Sequence, residues 1–345
     1  MEKQLEGGDA ADRASVAGRL TPGAIVRFLD QYVVGQDEAK KILAVAMYSH
    51  LRRPASDASV EIAKSNVLIV GPTGTGKTLL CETLARAVEV PFATADATSL
   101  AQSRYVNEEI EAVLLRLLER AGGDLARAQR GVVFIDEVDK LKARDGEPRA
   151  VSGESVQHAL LKIMEGAPVK LPDGRYLDTA GILFICGGAF VGLEKITATT
   201  HTFGFISTAQ GDNQQILDRL NARIKPTDLF AFGLIPEFTG RLPVIARFSP
   251  LGRDLLVRIM IEPRNSIYRQ FRARLLQEGV ELRIEHRVFE QIAELAIEYG
   301  VGARSLRGIF EEMIAPVLYA VPERPEVRRV VIGSLFEEPR LLPAG

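Results

Sequence analysis

A glycine-rich motif at residues 71–78 constrains the fold of this 345-residue chain more than any other feature. It fits the pattern G-x-x-x-x-G-K-[ST], which indicates a phosphate-binding loop when it joins a strand to a helix. That context is present, because the apolar segment Asn66–Val70 precedes the motif and the helical periodicity of Lys77–Val88 follows it. The motif consists of Gly71, Pro72, Thr73, Gly74, Thr75, Gly76, Lys77 and Thr78.

Each part of this motif has a chemical role towards a nucleoside triphosphate. Glycines let backbone N–H groups approach the phosphates, and the N-terminus of the following helix adds positive potential. We expect Lys77 to contact the β- and γ-phosphates of ATP and the Thr78 hydroxyl to bind Mg²⁺. Leu79, in the first turn of the helix, completes the predicted nucleotide-binding residues of this loop.

An acidic pair, Asp136 and Glu137, follows the apolar segment Val132–Ile135. Two carboxylates at the end of a buried strand are unfavourable unless they meet a cation or a polar ligand. Downstream of a phosphate-binding loop, we expect Asp136 to hold Mg²⁺ through its water shell. Glu137 is then predicted to be the general base that activates the water attacking the γ-phosphate.

Strand-like and helix-like segments alternate before Pro250, which predicts an α/β fold with a parallel sheet and helices on both faces. Long helical periodicities after Pro250 predict a smaller, mostly helical lid domain. We therefore expect an ATPase domain at residues 21–248 and the helical domain at 249–335. Residues 1–20 are predicted to be a disordered tail and 336–345 a second tail. The predicted strands before Pro250 are Asn66–Val70, Pro91–Ala95, Val132–Ile135 and Ile182–Cys186.

Composition restricts the class of partner and the compartment. The net charge is −2, with 43 basic and 45 acidic residues, so the chain has no basic surplus for a nucleic-acid backbone. Cys81 and Cys186 lie in apolar runs and form no C-x-x-C pair, which favours free thiols in a reducing compartment. The longest apolar stretch, Ile182–Leu193, is interrupted by glycines and is too short to span a bilayer. We expect a soluble cytoplasmic protein with neither a nucleic-acid nor a membrane partner.

Five further segments, together with the two motifs, resemble the ClpX family of AAA+ protein-unfolding ATPases. The resemblance extends from about Thr21 to Ile332, nearly the whole chain. It implies the AAA+ fold, ATP and Mg²⁺ as cofactors, and a homo-hexameric ring that threads protein substrates through its pore. The segments are Tyr32-Val33-Val34-Gly35-Gln36, Val151–Glu154 with Gln157 and Ala159–Lys162, Ile182–Phe190, Phe232–Pro243 and Gly302–Arg307.

The same resemblance implies roles for residues outside the two motifs. Val33 and Val34 lie in the segment that wraps the adenine in this family. Arg241 is implied to be the arginine finger that reaches the γ-phosphate of a neighbouring subunit, an interaction worth about 10³–10⁵ in rate. Arg304 is implied to be the sensor-2 arginine, which contacts nucleotide bound by its own chain. The alternative for both arginines is an ordinary surface ion pair.

The chain also departs from the family pattern at several places. The family's substrate-gripping pore loop reads Gly-Tyr-Val-Gly, whereas this chain has Arg104-Tyr105-Val106-Asn107. Tyr105 and Val106 are still implied to contact the substrate, with packing of Tyr105 into the core as the alternative. The family's N-terminal zinc-binding module has no counterpart in this sequence, so no zinc is expected.

In the family, an apolar tripeptide in a polar loop docks the ring onto its peptidase. The matching residues here are Phe203, Gly204 and Phe205, which implies an exposed anchor for a ClpP-like peptidase. Folding of this tripeptide back onto the core is the alternative reading.

Three functions are compatible with these observations. The favoured one is an ATP-dependent unfoldase that feeds a ClpP-like peptidase. The second is a stand-alone protein-remodelling ATPase without a protease, which the missing zinc module and the altered pore loop favour. The third is a nucleic-acid motor or loader of the AAA+ class, which the near-neutral charge and Tyr105 argue against.

Overall fold

The computed structural model of the protein describes residues 20–52, 64–103, 105–142, 153–201 and 223–343. The contacts among them define two compact units. The first, here called the sheet unit, contains residues 20–25, Glu38–Pro72 and Leu84–Phe248. The second, here called the C-terminal unit, contains Val26–Asp37, Thr73–Thr83 and residues 249–343. Most of the glycine-rich loop therefore groups with the C-terminal region, although the sequence suggested one continuous domain over residues 21–248.

Seven strands in the described part of the chain belong to the sheet unit. They are β1 (Val67–Val70), β2 (Phe92–Asp96), β3 (Val132–Asp136), β4 (Pro168–Lys170), β5 (Tyr176–Asp178), β6 (Leu183–Gly188) and β7 (Val244–Arg247). Five of them form a parallel sheet in the order β2-β3-β6-β1-β7, and β4 and β5 form an antiparallel hairpin.

Continuous apolar runs explain the interior strands of this sheet. Every residue of β1 and β6 is buried, as are the first four residues of β3. Strands without polar alternation are typical of a parallel sheet that is covered on both faces. The predicted fold class, a parallel sheet flanked by helices, is confirmed.

Helices and a short 3₁₀ turn accompany the sheet strands. The described helices up to residue 248 are α1 (Pro22–Asp30), α2 (Asp37–Leu51), α3 (Lys77–Ala87), α4 (Ala97–Gln102), α5 (Val106–Arg120), α6 (Leu125–Ala128), α7 (Gly153–Glu165), α8 (Leu193–His201), α9 (Pro226–Phe232) and α10 (Pro236–Gly240). The 3₁₀ turn is Val138–Leu141. The core of the sheet unit packs Val133 and Phe184 of the sheet with Leu114 of α5 and Leu160 of α7. This packing removes the apolar faces of α5 and α7 from water.

Both cysteines are buried, as predicted, and they are not joined in a disulfide. Cys81 lies in α3 and Cys186 in β6. Burial raises the pKa of the Cys186 thiol, because a thiolate is unfavourable in an apolar environment. A thiol held in its neutral form is a poor nucleophile, so this cysteine has a packing role. Within the described ranges, no helix is both long and apolar enough to cross a bilayer.

The C-terminal region combines four helices with a small sheet in the residues described there. Its elements are α11 (Arg253–Ile261), α12 (Ile267–Gln277), β8 (Glu281–Ile284), α13 (His286–Glu298), α14 (Arg304–Ala320), β9 (Val327–Ile332) and β10 (Arg340–Pro343). Strand β9 pairs parallel with β8 and antiparallel with β10. Phe271, Phe289 and Phe310 join three of these helices in one core, with the rings of Phe271 and Phe310 stacked 5.2 Å apart.

The structure adds two details to what the sequence predicts for this region. The helical periodicity between Arg253 and Glu278 belongs to two helices: α11 ends at Ile261 and α12 begins at Ile267, because Pro263 cannot donate an intrahelical hydrogen bond. Residues 336–345 are not simply a tail, since Arg340 pairs with Val331 and Leu341 packs against the core. The predicted tail at residues 1–20 lies, apart from its last residue, outside the described residues.

Candidate nucleotide-binding site

The glycine-rich loop begins where β1 ends. The N–H group of Gly71 donates a hydrogen bond of 3.1 Å to the carbonyl oxygen of Gly188, at the end of β6. A Cβ atom at position 71 would lie 2.5 Å from Cβ of Phe248. Only glycine therefore fits where the chain leaves the sheet.

Two further glycines of the loop have left-handed backbone. Gly74 and Gly76 have φ values of 77° and 89°, a region that glycine adopts at little cost. Lys77 and Thr78 then form the first turn of α3, with the Lys77 side chain largely buried. The predicted strand–loop–helix context of the motif is therefore present. A helix N-terminus that follows such a loop favours anions.

The acidic pair lies at the carboxyl end of β3. Asp136 ends the strand, and its Oδ1 atom accepts a hydrogen bond of 2.9 Å from the N–H group of Glu137. Glu137 has a left-handed backbone with φ of 60° and ψ of 29°, which is uncommon for a residue with a side chain. Strained backbone of this kind concentrates at functional sites.

The Glu137 carboxylate has a partner that the sequence analysis missed. The Thr98 hydroxyl donates a hydrogen bond of 2.9 Å to Oε2 of Glu137. Thr98 lies in the first turn of α4, where Asp96 caps the helix by accepting from the N–H groups of Thr98 (2.7 Å) and Ser99 (3.3 Å). Asp96 in turn pairs with Asp136 across β2 and β3. Strand register and helix cap together place the hydroxyl beside the carboxylate.

A second overlooked residue, Asp139, joins the acidic pair to the end of β6. Its side chain is 5% exposed and accepts hydrogen bonds from the N–H groups of Ala189 (3.2 Å) and Phe190 (3.3 Å). A Cβ atom at Gly188 would lie 2.5 Å from Oδ1 of Asp139. Charge-assisted bonds of this kind compensate the cost of burying a carboxylate. Asp139 therefore fixes the segment that follows β6 to the 3₁₀ turn after Glu137.

The predicted adenine segment is part of the C-terminal unit. Val33 and Val34 are buried, and the chain then turns through Gly35 and Gln36 at positive φ of 71° and 59°. The Gln36 side chain donates to the carbonyl oxygen of Ser249 (2.8 Å) and accepts from its N–H group (2.9 Å). These two bonds attach the turn to the start of the C-terminal region.

Arg304 belongs to the same unit as Thr73–Thr83, which includes most of the glycine-rich loop and the first turns of α3. It is exposed and is the first residue of α14. The preceding N–H group, that of Ala303, donates a hydrogen bond of 3.1 Å to the carbonyl oxygen of Gly74. The backbone that carries Arg304 is therefore in direct contact with the loop.

Arg241 follows α10 and forms an ion pair within the chain. Its Nη2 and Nε atoms lie 2.6 Å and 3.0 Å from Oε1 of Glu165, with the arginine side chain 54% exposed. The carbonyl oxygen of Arg241 accepts from the side chain of Asn66 (3.2 Å), which fixes the backbone. In the single chain, Arg241 therefore has an exposed ion pair, which is the alternative to the role of arginine finger.

Tyr105 does not pack in the core. It lies immediately before α5 with 65% of its surface exposed, and its N–H group donates to the Ser103 hydroxyl (3.1 Å). Val106, the first residue of α5, is only partly buried and packs against the core of the sheet unit. Arg104 lies outside the described residues, as do Phe203, Gly204 and Phe205.

Comparison with known proteins gives the family. Residues 62–245 match the AAA domain (Cdc48 subfamily), and residues 256–330 match the C-terminal, D2-small domain of ClpB protein. The ATP-dependent Clp protease ATP-binding subunit ClpX of Treponema denticola is 41% identical, over 93% of this chain and 83% of that protein. ATP-dependent Clp protease ATP-binding subunit ClpX 3 of Methylococcus capsulatus is 45% identical, over 91% of this chain and 79% of that protein. The chain therefore belongs to the ClpX family and is an ATP-hydrolysing protein unfoldase of the AAA+ class.

Proposed function

We propose that one ATP is bound by the glycine-rich loop and the adenine segment of each chain. Gly71, Pro72, Thr73, Gly74, Thr75, Gly76, Lys77, Thr78 and Leu79 would contact the phosphates and the sugar, with Val33 and Val34 against the base. The observation that carries this proposal is the loop itself, in which Gly74 and Gly76 have positive φ directly before Lys77 at the N-terminus of α3.

A magnesium ion fits the chemistry of Thr78 and Asp136. Thr78 provides a hydroxyl and Asp136 a carboxylate, and Mg²⁺ prefers oxygen ligands and keeps part of its water shell. Asp136 would hold the ion through water, and the ion would neutralise charge on the phosphates.

Glu137 is proposed as the general base for the water that attacks the γ-phosphate. Its hydrogen bond to Thr98 holds one carboxylate oxygen, so the other oxygen has a restricted range of directions. Lys77, Arg304 and, from a neighbouring subunit, Arg241 would stabilise the charge that develops on the phosphates.

The role of Arg241 requires an assembly of several chains, and we propose a homo-hexameric ring. To act on a neighbour, Arg241 has to exchange Glu165 for the γ-phosphate. Exposed ion pairs contribute about 0–1 kcal/mol, so this exchange costs little. The half-exposed pair is compatible with a finger that is held in the free chain and released at a subunit interface.

Tyr105 is proposed to grip the substrate. Its exposure leaves an aromatic face available to an extended chain, and aromatic rings bury a large area on contact. Six copies around one pore would act together, which raises the effective concentration of weak contacts. ATP hydrolysis would then pull the substrate through the ring and unfold it.

We place this activity in the cytoplasm, without zinc and without a nucleic-acid partner.

A ClpP-like peptidase is the proposed recipient of the unfolded chain. The names of both relatives describe a subunit of the Clp protease. Phe203, Gly204 and Phe205 are the proposed contact. Each phenylalanine entering an apolar cleft would contribute about 1.5–3 kcal/mol before ordering costs. The stand-alone remodelling ATPase is the competing function.

Degradation of a fluorescent protein with an unstructured tag separates the two functions. The protein is incubated with ATP and the ClpP-like peptidase of the same cell, as the parent chain, Phe205→Ala and Glu137→Gln. We expect the parent to drive degradation, Phe205→Ala to unfold without degradation, and Glu137→Gln to do neither. Unfolding by the parent without any degradation would favour the stand-alone remodeller. Gel filtration with ATP measures the ring, and a monomer with full ATPase activity would contradict it.

A further inference from the structure

Within the C-terminal unit, the turn before α14 lies directly on the glycine-rich loop. The N–H group of Ala303 donates to the carbonyl oxygen of Gly74 at 3.1 Å. A Cβ atom at Gly74 would lie 2.2 Å from the carbonyl oxygen of Val301. On the other side of this contact, a Cβ atom at Gly302 would lie 3.1 Å from the carbonyl oxygens of both Thr73 and Gly74. Two stretches of backbone therefore meet with no side chain between them.

Position 302 favours glycine for two reasons, its positive φ and the lack of space for a Cβ atom. Gly300, two residues earlier, has only the first of these. Both residues have positive φ, 63° for Gly302 and 67° for Gly300, so both turns favour glycine for the backbone alone. A Cβ atom at Gly300 would meet nothing within 4 Å, whereas one at Gly302 would press on the loop. The requirement for space at position 302 therefore comes from the loop and not from the turn.

The contact lies immediately before the arginine proposed to sense nucleotide. Ala303 precedes α14, Arg304 is its first residue, and the Ser305 hydroxyl donates to the carbonyl oxygen of Gly302 (3.1 Å). Ala303 is bonded directly to Arg304, so fixing Ala303 on Gly74 also restricts the point from which the Arg304 side chain leaves the backbone. On the loop side, Lys77 follows Gly74 by three residues.

We propose that Gly302 is a positioning residue for ATP hydrolysis. The absence of a side chain lets the Val301–Ala303 turn dock on the carbonyl oxygen of Gly74, and this docking places Arg304 at the nucleotide phosphates. The proposal rests on the proposed role of Arg304 at the nucleotide. The glycine-rich loop would then have two roles: it binds phosphate, and its backbone contacts the turn before α14.

A set of four variants tests this proposal: Gly302→Ala, Gly300→Ala, Arg304→Ala and the double variant Gly302→Ala/Arg304→Ala. For each full-length protein, kcat and KM for ATP are measured, with thermal unfolding by circular dichroism to check the fold. Gly300→Ala is the matched control, because it adds the same methyl group at the same φ in open space. Gly302→Asn is added, since asparagine tolerates positive φ better than alanine but still carries a Cβ atom.

We expect Gly302→Ala to lower kcat/KM for ATP by at least about tenfold, and Gly302→Asn to do the same, with Gly300→Ala near the parent. The double variant should be no worse than Arg304→Ala alone, because Gly302 acts through that arginine. Equal kinetics for Gly302→Ala and Gly300→Ala, or losses that multiply in the double variant, would overturn the proposal. An Arg304→Ala variant with parent kinetics would instead refute the role of Arg304 itself. If Gly302→Ala does not fold, Ser305→Ala replaces it and should show a smaller loss that is again absent in the Arg304→Ala background.

Discussion

The hydroxyl of Thr98 lies 2.9 Å from Oε2 of Glu137 and donates a hydrogen bond to it. The two residues are 39 positions apart, and the parallel pairing of β2 with β3 brings them together. One hydroxyl therefore holds the carboxylate that we propose as the general base. The orientation of a base controls its efficiency, because proton transfer requires the correct geometry towards the attacking water.

Replacing Thr98 with valine, which has almost the same shape, should lower kcat by about tenfold with little change in KM for ATP. We expect KM to change little because the hydroxyl orients Glu137 for the chemical step and has no proposed contact with nucleotide. Thr98→Ser should recover most of the activity. Ser99→Ala, at the exposed neighbouring position of the same helix, is the control and should hydrolyse ATP like the parent.

Glu137→Gln should bind ATP and hydrolyse it at least about 10²-fold more slowly, because the amide cannot accept the proton of the attacking water. The hydroxyl of Thr98 can still donate to the amide oxygen, so the local structure should persist. Equilibrium binding of a fluorescent ATP analogue and steady-state phosphate release measure the two properties. Parent-like turnover by this variant would show that another group is the base.

Arg241→Ala should abolish most ATP hydrolysis while each chain still binds nucleotide, because the arginine serves the neighbouring subunit. Mixing Arg241→Ala with Glu137→Gln chains should restore part of the activity, since some interfaces then combine an intact finger with an intact base. Two inactive variants whose mixture stays inactive at every ratio would count against action in trans.

The ion pair of Arg241 with Glu165 gives a separate prediction. Glu165→Gln removes the charge that holds Arg241 in the single chain, and the exposed pair contributes only about 0–1 kcal/mol to stability. We therefore expect an unchanged melting temperature and ATPase activity at or above that of the parent. A loss of activity as large as that of Arg241→Ala would mean that the pair itself is needed for hydrolysis.

The side chain of Gln36 stabilises a turn with an unfavourable backbone. Its two hydrogen bonds to Ser249 compensate for positive φ at a residue other than glycine. Gln36→Ala should lower the free energy of unfolding by about 1–3 kcal/mol, the sum of two ordinary hydrogen bonds. Urea unfolding followed by circular dichroism measures this loss. Gln277→Ala, at an exposed helix end, should stay within about 0.5 kcal/mol of the parent.

The sequence predicted those parts of the molecule that depend on local pattern. The strands β1, β3 and β6 are continuous apolar runs, and the loop that begins at Gly71 has a fixed spacing between strand and helix. In contrast, β8 alternates exposed and buried residues over four positions, and three of the four residues of β10 are exposed, so neither is a continuous apolar run. Each is stabilised by pairing with β9, which a local pattern does not contain.

The functional site shows the same limit. Lys77, Asp136 and Glu137 belong to motifs, so the sequence alone makes them candidates. Thr98 has no such motif, because its contact depends on the register of two strands. The sequence indicates only that Asp96 is a residue type that caps helices. Asp139 is likewise defined by backbone groups 50 and 51 residues away.

Unfolding of a substrate by this ATPase is measured by the fluorescence of a tagged green fluorescent protein, with a trap for unfolded chains. The parent, Tyr105→Ala and Tyr176→Ala are each incubated with ATP, and phosphate release is followed in parallel. Tyr176 is the control because it is similarly exposed, at 60% against 65%, on the β4–β5 hairpin. We expect loss of fluorescence with the parent and Tyr176→Ala, and continued hydrolysis without unfolding for Tyr105→Ala. Unfolding by Tyr105→Ala at the parent rate would show that Tyr105 does not grip the substrate.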